Sequence, residues 1–333
     1  MLVTDYISKG NLDEILHSSD ISIPLDIRLG IAIGCAEALS YMHSMHLWSD
    51  SLVYHGDIKP ANILLDGNFT AKVSDFGLSR LLLGGITLYT SKVIGTIDYM
   101  DPVYFHKGRL TPRSDVYSFG MVILEIIARK RVRQGNINLI GTFSEACANR
   151  SRLQELLDAA IANENSLKIL KEMVKLAVEC LALDSRKRPQ MNDVAKRLRM
   201  LKKGMNGHEN ALPQSILATH HSWHRNNKSF SFFKKNASNS NIISELSKVR
   251  IFKEELNEIT QNYSYLLGGG MSTKFYKGTL RTTLVVVRKF LDEEFKEAFI
   301  NGGIILSQLS NCPQEHYHTF GLLLGIRNYG FCI

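Results

Sequence analysis

Ionisable and amide side chains recur at short, regular spacings in one segment near the start of the chain. Asp57 is followed by Lys59 two residues later and by Asn62 five residues later. A second acid, Asp75, opens the tripeptide DFG thirteen residues after Asn62. An isolated Asp or Asn beside a turn usually closes an Asx turn or caps a helix. The combined spacing favours a shared role for these residues over a set of unrelated caps and turns.

The segment HGDIKPAN, together with the DFG that follows it, resembles the signature set of eukaryotic protein kinases. Phosphoryl transfer needs charge neutralisation on the phosphates and in-line placement of the attacking hydroxyl. The resemblance implies that Asp57 accepts the proton of the substrate hydroxyl and that Lys59 stabilises the transferring group. It implies Asn62 and Asp75 as ligands of Mg²⁺, or Mn²⁺, and ATP as the nucleotide. Leu64 would form the floor beneath adenine.

Two later segments extend the resemblance. GTIDYMDP at 95–102 resembles the end of an activation segment, and SDVYSFG at 114–120 resembles the start of the central helix of the large lobe. In the family, the aspartate that matches Asp115 anchors the catalytic loop, and the threonine that matches Thr96 links the catalytic Asp and Lys. Lys59 and Thr96 thus favour Ser/Thr over Tyr as the acceptor. The other supporting positions implied by the resemblance are His55, Phe76, Gly77 and Arg188.

The first residues, LVTDYISKGNL at 2–12, resemble the hinge and first helix of a kinase large lobe. Asp5 and Tyr6 would then contact the nucleotide, and no small lobe precedes them. The segments HGDIKPANILL, DFGLSRLL and DVYSFGMVILEI resemble plant receptor-like kinases of the wall-associated group, which implies cell-surface receptor signalling. The first 205 residues are therefore expected to form a protein-kinase large lobe.

Two substitutions depart from the family pattern within this lobe. Gly56 stands where an arginine usually precedes the catalytic Asp, so a phosphorylated activation loop would lack a guanidinium partner. Val103 stands where a glutamate is expected after Pro102. The family partner of that glutamate would be Arg188, and an unpaired buried charge costs a few kcal/mol. We therefore expect local instability near Pro102.

Residues 250–325 resemble the missing small lobe, but at its working positions the residues have changed. Gly268 and Gly270 belong to a loop in which Thr273 replaces the last glycine, although a glycine run between strands is more often a plain turn. Arg288 stands where the phosphate-pairing lysine belongs, and its planar guanidinium is a poor replacement. The helix glutamate that should pair with that lysine falls at Gly302. The ion pair that assembles an active kinase is therefore predicted to be absent.

The elements that must position these residues follow from periodicity. Apolar residues at helical spacing predict these helices: 25–43, 115–128, 153–161, 167–182, 191–200 and 293–310. Strands are predicted at 63–65, 71–73, 274–276 and 284–287. The predicted fold class is α+β, protein-kinase-like. It comprises a mainly helical large lobe at 1–205, a basic flexible linker at 206–249 that resembles a juxtamembrane segment, and a degenerate, truncated small lobe at 250–333.

Composition limits the partners and the location. The 333 residues are 44% hydrophobic and 22% charged with a net charge of +8, and five cysteines without metal spacing favour a reducing compartment. Much of the positive charge lies in the linker, which is read as a solvated tether or as an attachment to anionic lipid. It carries no nucleic-acid recognition motif. With no signal peptide or membrane-spanning segment recognised, the expected location is the cytoplasm or the inner face of the plasma membrane.

Three functional hypotheses remain open from the sequence. The first is an active Ser/Thr kinase that recovers a small lobe from its own C-terminal part or from a partner; a flexible linker of about 45 residues would span roughly 35 to 40 Å. The second is a non-catalytic binding module or scaffold that engages another kinase or a receptor. The third is a truncated tandem product, which joins the end of one kinase to the start of the next. The protein substrate is not identified by any motif.

Overall fold

The computed structural model describes residues 2–44, 52–82, 87–134, 137–149, 153–206, 253–269 and 273–291. Helices α1 to α9 cover, in chain order, Leu12–His17, Leu25–Ser44, Pro102–Lys107, Pro112–Ala128, Leu139–Asn149, Leu153–Leu156, Glu164–Cys180, Met191–Asn206 and Lys253–Ile259. Strands β1 to β7 cover Leu2–Asp5, Leu52–Tyr54, Ile63–Leu65, Ala71–Val73, Arg80–Leu82, Leu88–Tyr89 and Arg109–Leu110. Strands β8 to β12 cover Arg133–Gln134, Ile137–Asn138, Leu266–Gly269, Thr273–Leu280 and Thr283–Phe290.

Helix α4 is the centre of the large lobe, which we define as described residues 6–206. Pro112 occupies its first turn, and the side chains of Thr111 and Ser114 form a capping box there. Almost every residue of α4 is buried, since α2 and α7 pack against it. A Cβ at Gly120 would lie 2.9 Å from the Cβ of Cys180, so glycine permits the close approach of α4 and α7. The helix predicted over 115–128 is therefore confirmed, and its apolar run forms a core helix.

Most predicted elements of this lobe are confirmed. The hairpin of β3 and β4 pairs Ile63 with Val73 in antiparallel register. The helix predicted over 153–161 is wrong beyond Leu156. Asp158 turns the chain there, because its side chain accepts a hydrogen bond from the backbone N–H of Ala160 at 3.1 Å and also binds Arg28. A local Asx turn and a long-range ion pair thus end the helix.

The small sheet combines the two ends of the described chain. Its strand order is β1-β12-β11-β10, and all neighbouring strands are antiparallel. The register pairs Val3 with Val287. One face packs on α9, and its core consists of Val3, Leu256, Ile259, Val285 and Val287. The strand that opens the chain therefore completes the sheet of the C-terminal unit, which we call, together with β1 and α9, the small lobe.

Several predicted features lie outside the described residues. These are nearly all of the linker at 206–249, the helix at 293–310, Gly270 and Gly302. Among the helices that the structure describes, none combines the length and apolar character needed to cross a membrane.

Candidate active site

The loop that carries Asp57 is fastened to the start of α4 by one buried carboxylate. Asp115 accepts hydrogen bonds from the backbone N–H groups of His55 at 2.8 Å and Gly56 at 2.9 Å. His43 Nε2, at the end of α2, lies 2.8 Å from Asp115 Oδ2. Burial alone would raise the pKa of Asp115, but the hydrogen bond and charge of the His43 ring hold it below its ordinary value. Asp115 therefore joins three segments through a negative charge.

Asp57 lies at the centre of a closed polar network. Thr96 donates to Asp57 Oδ1 through its hydroxyl at 2.8 Å and through its backbone N–H at 3.0 Å. Lys59 Nζ lies 2.8 Å from Asp57 Oδ2 and donates to Thr96 Oγ1 at 2.7 Å. Asn62 Nδ2 donates to the Asp57 backbone oxygen at 2.8 Å. The structure thus brings together four side chains that stand up to 39 positions apart.

The Asp75-Phe76-Gly77 tripeptide lies beside this network. Asp75 has φ +61°, in the left-handed region that Asp tolerates better than most residues, and accepts the backbone N–H of Gly77 at 3.1 Å. Phe76 is buried, and its ring centroid lies 5.2 Å from that of His55. His55 Nε2 in turn lies 2.9 Å from the backbone oxygen of Ser74. Aromatic contact and side-chain hydrogen bonds thus hold the tripeptide against the Asp57 loop.

Arg288 reaches Asp75 from strand β12. Its Nη1 atom lies 2.5 Å from Asp75 Oδ1, and its guanidinium carbon lies 5.3 Å from the ring centroid of Phe275. Lys289 points to the opposite face of the sheet, where its Nζ lies 4.7 Å from the Tyr263 ring centroid. Burial alone would raise the pKa of Asp75, but the Arg288 charge holds it below its ordinary value. The residue that replaces the expected lysine is therefore ion-paired with the DFG aspartate.

The predicted nucleotide-contacting residues lie where β1 leaves the small sheet. Asp5 ends β1 and is half-buried, and burial raises its pKa. The backbone N–H of Tyr6 donates to the Leu284 oxygen at 3.2 Å, and Lys277 Nζ lies 4.9 Å from the Tyr6 ring centroid. Leu64, in β3, is half-buried. These positions lie near the join of the two lobes, where a hinge residue and an adenine floor would be needed.

Comparison with known proteins assigns the family. Residues 1–198 match the family model for the protein tyrosine and serine/threonine kinases. The chain belongs to the protein kinase family. Wall-associated receptor kinase 3 of Arabidopsis thaliana is 40% identical over 210 residues, which are 61% of this chain and 28% of that protein. A probable receptor-like serine/threonine-protein kinase of the same plant is 40% identical over 202 residues, 58% of this chain and 45% of that protein.

A third relative, the probable serine/threonine-protein kinase PBL28 of Arabidopsis thaliana, is 36% identical over 208 residues, 60% of this chain and 55% of that protein. This kinase chain therefore spans between about a quarter and about half of the relatives it matches. The family generally transfers phosphoryl groups with ATP and Mg²⁺. The predicted likeness to plant receptor-like and wall-associated kinases is confirmed.

The implied magnesium ligands fit Mg²⁺ only in their chemistry. Asp75 and Asn62 offer carboxylate and amide oxygens, which Mg²⁺ accepts as ligands. However, Arg288 Nη1 lies 2.5 Å from Asp75 Oδ1, so a guanidinium occupies the position in which a metal ion would contact that oxygen. The residues as arranged do not fit a divalent cation on this oxygen of Asp75.

The loop that the sequence predicts to cover the phosphates is described only at its ends. Gly268 has φ +153° and, with Gly269 at +155°, closes β10 beside a register shift. Thr273, at the position expected for the last glycine, begins β11. Gly270 falls between these ends, in the residues that the structure does not describe, and the pairing lost at Gly302 stays a prediction for the same reason.

The predicted isolation of Arg188 is wrong. Its Nη2 atom lies 2.7 Å from Asp101 Oδ1, and both side chains are almost fully buried, with exposed fractions of 0% and 1%. The guanidinium also donates to two backbone oxygens and lies 4.9 Å from the Tyr117 ring centroid. The carboxylate therefore comes from Asp101, two residues before Val103. This ion pair removes the reason for expecting instability near Pro102.

Sequence reasoning missed several residues that support the site. Asp101 also caps α3, and an aspartate directly before a proline that begins a helix was an available signal. Glu125, wholly buried in α4, binds His17 Nε2 at 2.8 Å and the Tyr99 hydroxyl at 2.7 Å. A charged residue inside an apolar helix indicates a paired site. His43 had no comparable signal, because its partner lies 72 positions away.

Proposed function

We propose that the chain is a protein serine/threonine kinase domain that binds ATP between its two lobes and transfers the γ-phosphoryl group slowly to protein hydroxyls. One observation carries the proposal: Thr96 Oγ1 donates to Asp57 Oδ1 at 2.8 Å and accepts from Lys59 at 2.7 Å. This network places a carboxylate and a cation side by side. In this proposal the carboxylate is the general base and the cation stabilises the phosphate charge, and their mutual contacts support such roles because the groups are held in position before substrate binds.

The chemistry proposed for these residues is simple. The hydroxyl oxygen of the incoming Ser or Thr attacks the γ-phosphorus of ATP, and the bond between that phosphorus and the ADP oxygen breaks. Asp57 accepts the proton that the hydroxyl loses. Lys59 neutralises charge on the transferring group. A small pocket lined by Asp57, Thr96 and Met100, among others, lies next to the base and is the proposed entry of the acceptor side chain. ATP supplies the phosphoryl group.

The small lobe needed for nucleotide binding is proposed to come from the same chain. β12 pairs with β1 over Leu2–Asp5, and α9 covers the resulting face. This pairing favours recovery of a small lobe in cis over a tandem remnant whose two parts do not meet. The altered residue Arg288 is the reason that we propose slow transfer, since a guanidinium is planar and bulkier than the ammonium of lysine.

The decisive experiment is a phosphotransfer assay on the purified full chain. The chain is incubated with radiolabelled ATP and casein, with MgCl₂ or MnCl₂, and the products are mapped by mass spectrometry. We expect label on Ser and Thr, including autophosphorylation. The Asp57→Asn variant should lose about 10²- to 10⁴-fold in rate, the contribution typical of a general base.

The matched control is Asp20→Asn, which removes the same charge at an exposed position and should leave the rate unchanged. Tyrosine labelling, or a rate that Asp57→Asn does not change, contradicts the proposal.

A second candidate function is a non-catalytic module that binds another kinase or a receptor. The Arg288–Asp75 ion pair favours it, because Arg288 contacts the Asp75 oxygen that would otherwise be open to a metal ion. Nucleotide binding separates the two candidates, since a scaffold need not retain it.

Attachment to an anionic membrane through the linker also remains a proposal; co-sedimentation of the full chain with phosphatidylserine vesicles tests it.

A further inference from the structure

Arg288 brings a permanent positive charge to the DFG carboxylate. Besides the 2.5 Å contact with Asp75, its guanidinium stacks against the ring of Phe275, with 5.3 Å between the guanidinium carbon and the ring centroid. A Cβ added to Gly77 would lie 3.3 Å from Arg288 Nη2, so the guanidinium also lies against the glycine that follows Phe76. A carboxylate, an aromatic ring and a glycine backbone together position this side chain.

The register of the small sheet determines which residue meets Asp75. β1 pairs with β12 so that Leu2 lies opposite Arg288. Side chains alternate across a strand, and Val287 and Lys289 therefore point to the other face. A slip of one residue would remove the arginine from the cleft and place a neighbour there. The contact with Asp75 is thus a consequence of how the start of the chain joins the C-terminal strands.

In this ion pair the guanidinium of Arg288 neutralises the Asp75 carboxylate, which is the role that a metal ion usually has at such a site. Arg288 Nη1 lies 2.5 Å from Asp75 Oδ1, so the guanidinium contacts the carboxylate directly. A divalent ion at the same oxygen would have to displace the guanidinium. Guanidinium groups present five N–H donors in a planar fork and form bidentate pairs with carboxylates and with phosphates. One side chain can therefore bridge the carboxylate and a phosphate.

We propose that Arg288 is the cation of this nucleotide site, so that the chain binds a nucleoside triphosphate without a divalent metal ion. The inference rests on the nucleotide site proposed above. Lys59 supplies a second positive charge from the opposite lobe, through its place beside Asp57 and Thr96. The phosphates bind between these two cations, and Asp75 orients the guanidinium as a positioning residue.

The test measures thermal unfolding of the full chain under four conditions: no ligand, MgCl₂ alone, ATP with EDTA, and ATP with MgCl₂. Selective binding to the folded state raises stability. We expect ATP with EDTA to raise the Tm by about 5 °C at roughly one hundred times the dissociation constant. ATP with MgCl₂ should give a shift that is no larger, and MgCl₂ alone should give none.

Three variants test which side chain causes the rise in Tm with ATP. Arg288→Gln should lose the shift in EDTA. Arg288→Lys keeps the charge but lacks the planar fork, so we expect its shift with ATP to become larger in MgCl₂ than in EDTA. Lys289→Gln is the matched control, since it removes a positive charge from the next residue of the same strand, on the other face, and should behave as the unaltered chain does. The ligand-free Tm of each variant reports its folding, and Arg288→Lys keeps the test valid if Arg288→Gln does not fold.

The outcomes separate this inference from the proposed function. A Tm shift of the unaltered chain only with MgCl₂ overturns metal-independent binding and leaves the nucleotide site standing. No shift with ATP under either condition overturns both. An undiminished shift of Arg288→Gln in EDTA overturns the assignment of the cation to Arg288. A shift in EDTA that Arg288→Gln abolishes and Lys289→Gln retains supports the inference.

Discussion

The large lobe and the small lobe differ in the size of their hydrophobic cores and in the parts of the chain that supply the core residues. Side chains from α1, α2, α4, α7 and α8 form one contiguous core in the large lobe. The small lobe has a core of five buried residues, and one of them, Val3, comes from the start of the chain. A few strands need a covered hydrophobic face to be stable. The comparison shows that the small-lobe core needs Val3 of β1 from the start of the chain, whereas no described small-lobe residue belongs to the large-lobe core.

The two arginine–aspartate pairs show the same contrast at the level of single contacts. Arg188 and Asp101 are exposed by 0% and 1%, while Arg288 and Asp75 are exposed by 14% and 30%. Breaking a buried pair leaves an uncompensated charge in the core, whereas a partly solvated pair exchanges partners at lower cost. The first pair is therefore structural, and the second is exposed enough for a ligand to contact it.

The largest effect is expected from breaking the buried pair. Asp101→Asn leaves the Arg188 guanidinium without its carboxylate and should lower the free energy of unfolding by about 3 to 5 kcal/mol. Urea denaturation followed by circular dichroism measures the change. Asp184→Asn, which removes the partly exposed partner of the exposed Arg186, is the control and should leave the urea midpoint unchanged. Equal midpoints for both variants would remove the distinction between buried and exposed pairs.

A smaller effect, with a pH dependence, is expected at Asp115, which anchors the loop that carries Asp57. Asp115→Asn should lower the free energy of unfolding by about 2 kcal/mol at pH 7, because charge-assisted hydrogen bonds to His55 and Gly56 weaken. The folded pKa of Asp115 lies below its unfolded value. Its stabilisation is therefore complete above about pH 4 and lost as the pH falls through the folded pKa.

Urea midpoints measured between pH 7 and pH 2 test whether the stabilisation by Asp115 is lost as the pH falls. The difference between the unaltered chain and Asp115→Asn should narrow below about pH 4. A difference that widens in acid would contradict the assignment of an ionised carboxylate at this position.

The smallest effect should be confined to the small lobe. Val287→Ala removes two methyl groups from its core and should cost about 1.5 kcal/mol. Hydrogen exchange followed by mass spectrometry should show faster exchange in β11 and β12, with α4 and α7 unchanged. Leu284→Ala, at a side chain that is 45% exposed on the same strand, is the control and should change exchange little. Faster exchange throughout the large lobe would show that the two lobes unfold as one unit.

Local pattern predicted much of the large lobe. The β3–β4 hairpin and the long helix α2 follow from turn residues and helical periodicity, which short-range interactions impose. The carboxylate partner of Arg188 could not be predicted from turn residues or periodicity. Family pattern pointed to position 103, but the chain brings Asp101 to the guanidinium, and the choice depends on side-chain directions at the start of α3. The early end of the helix at Leu156 likewise depends on a long-range contact of Asp158.

The sequence by itself determined the family and the identity of the chemical groups: Asp57, Lys59, Asn62, Asp75 and Thr96 are recognisable from type and spacing. Only the tertiary structure decided that β1 completes the sheet of the C-terminal strands and that Arg288 meets Asp75 across 213 positions. The physical reason is that strand pairing between distant segments is set by backbone hydrogen bonds and a shared apolar face. Neither appears in the local pattern of either segment.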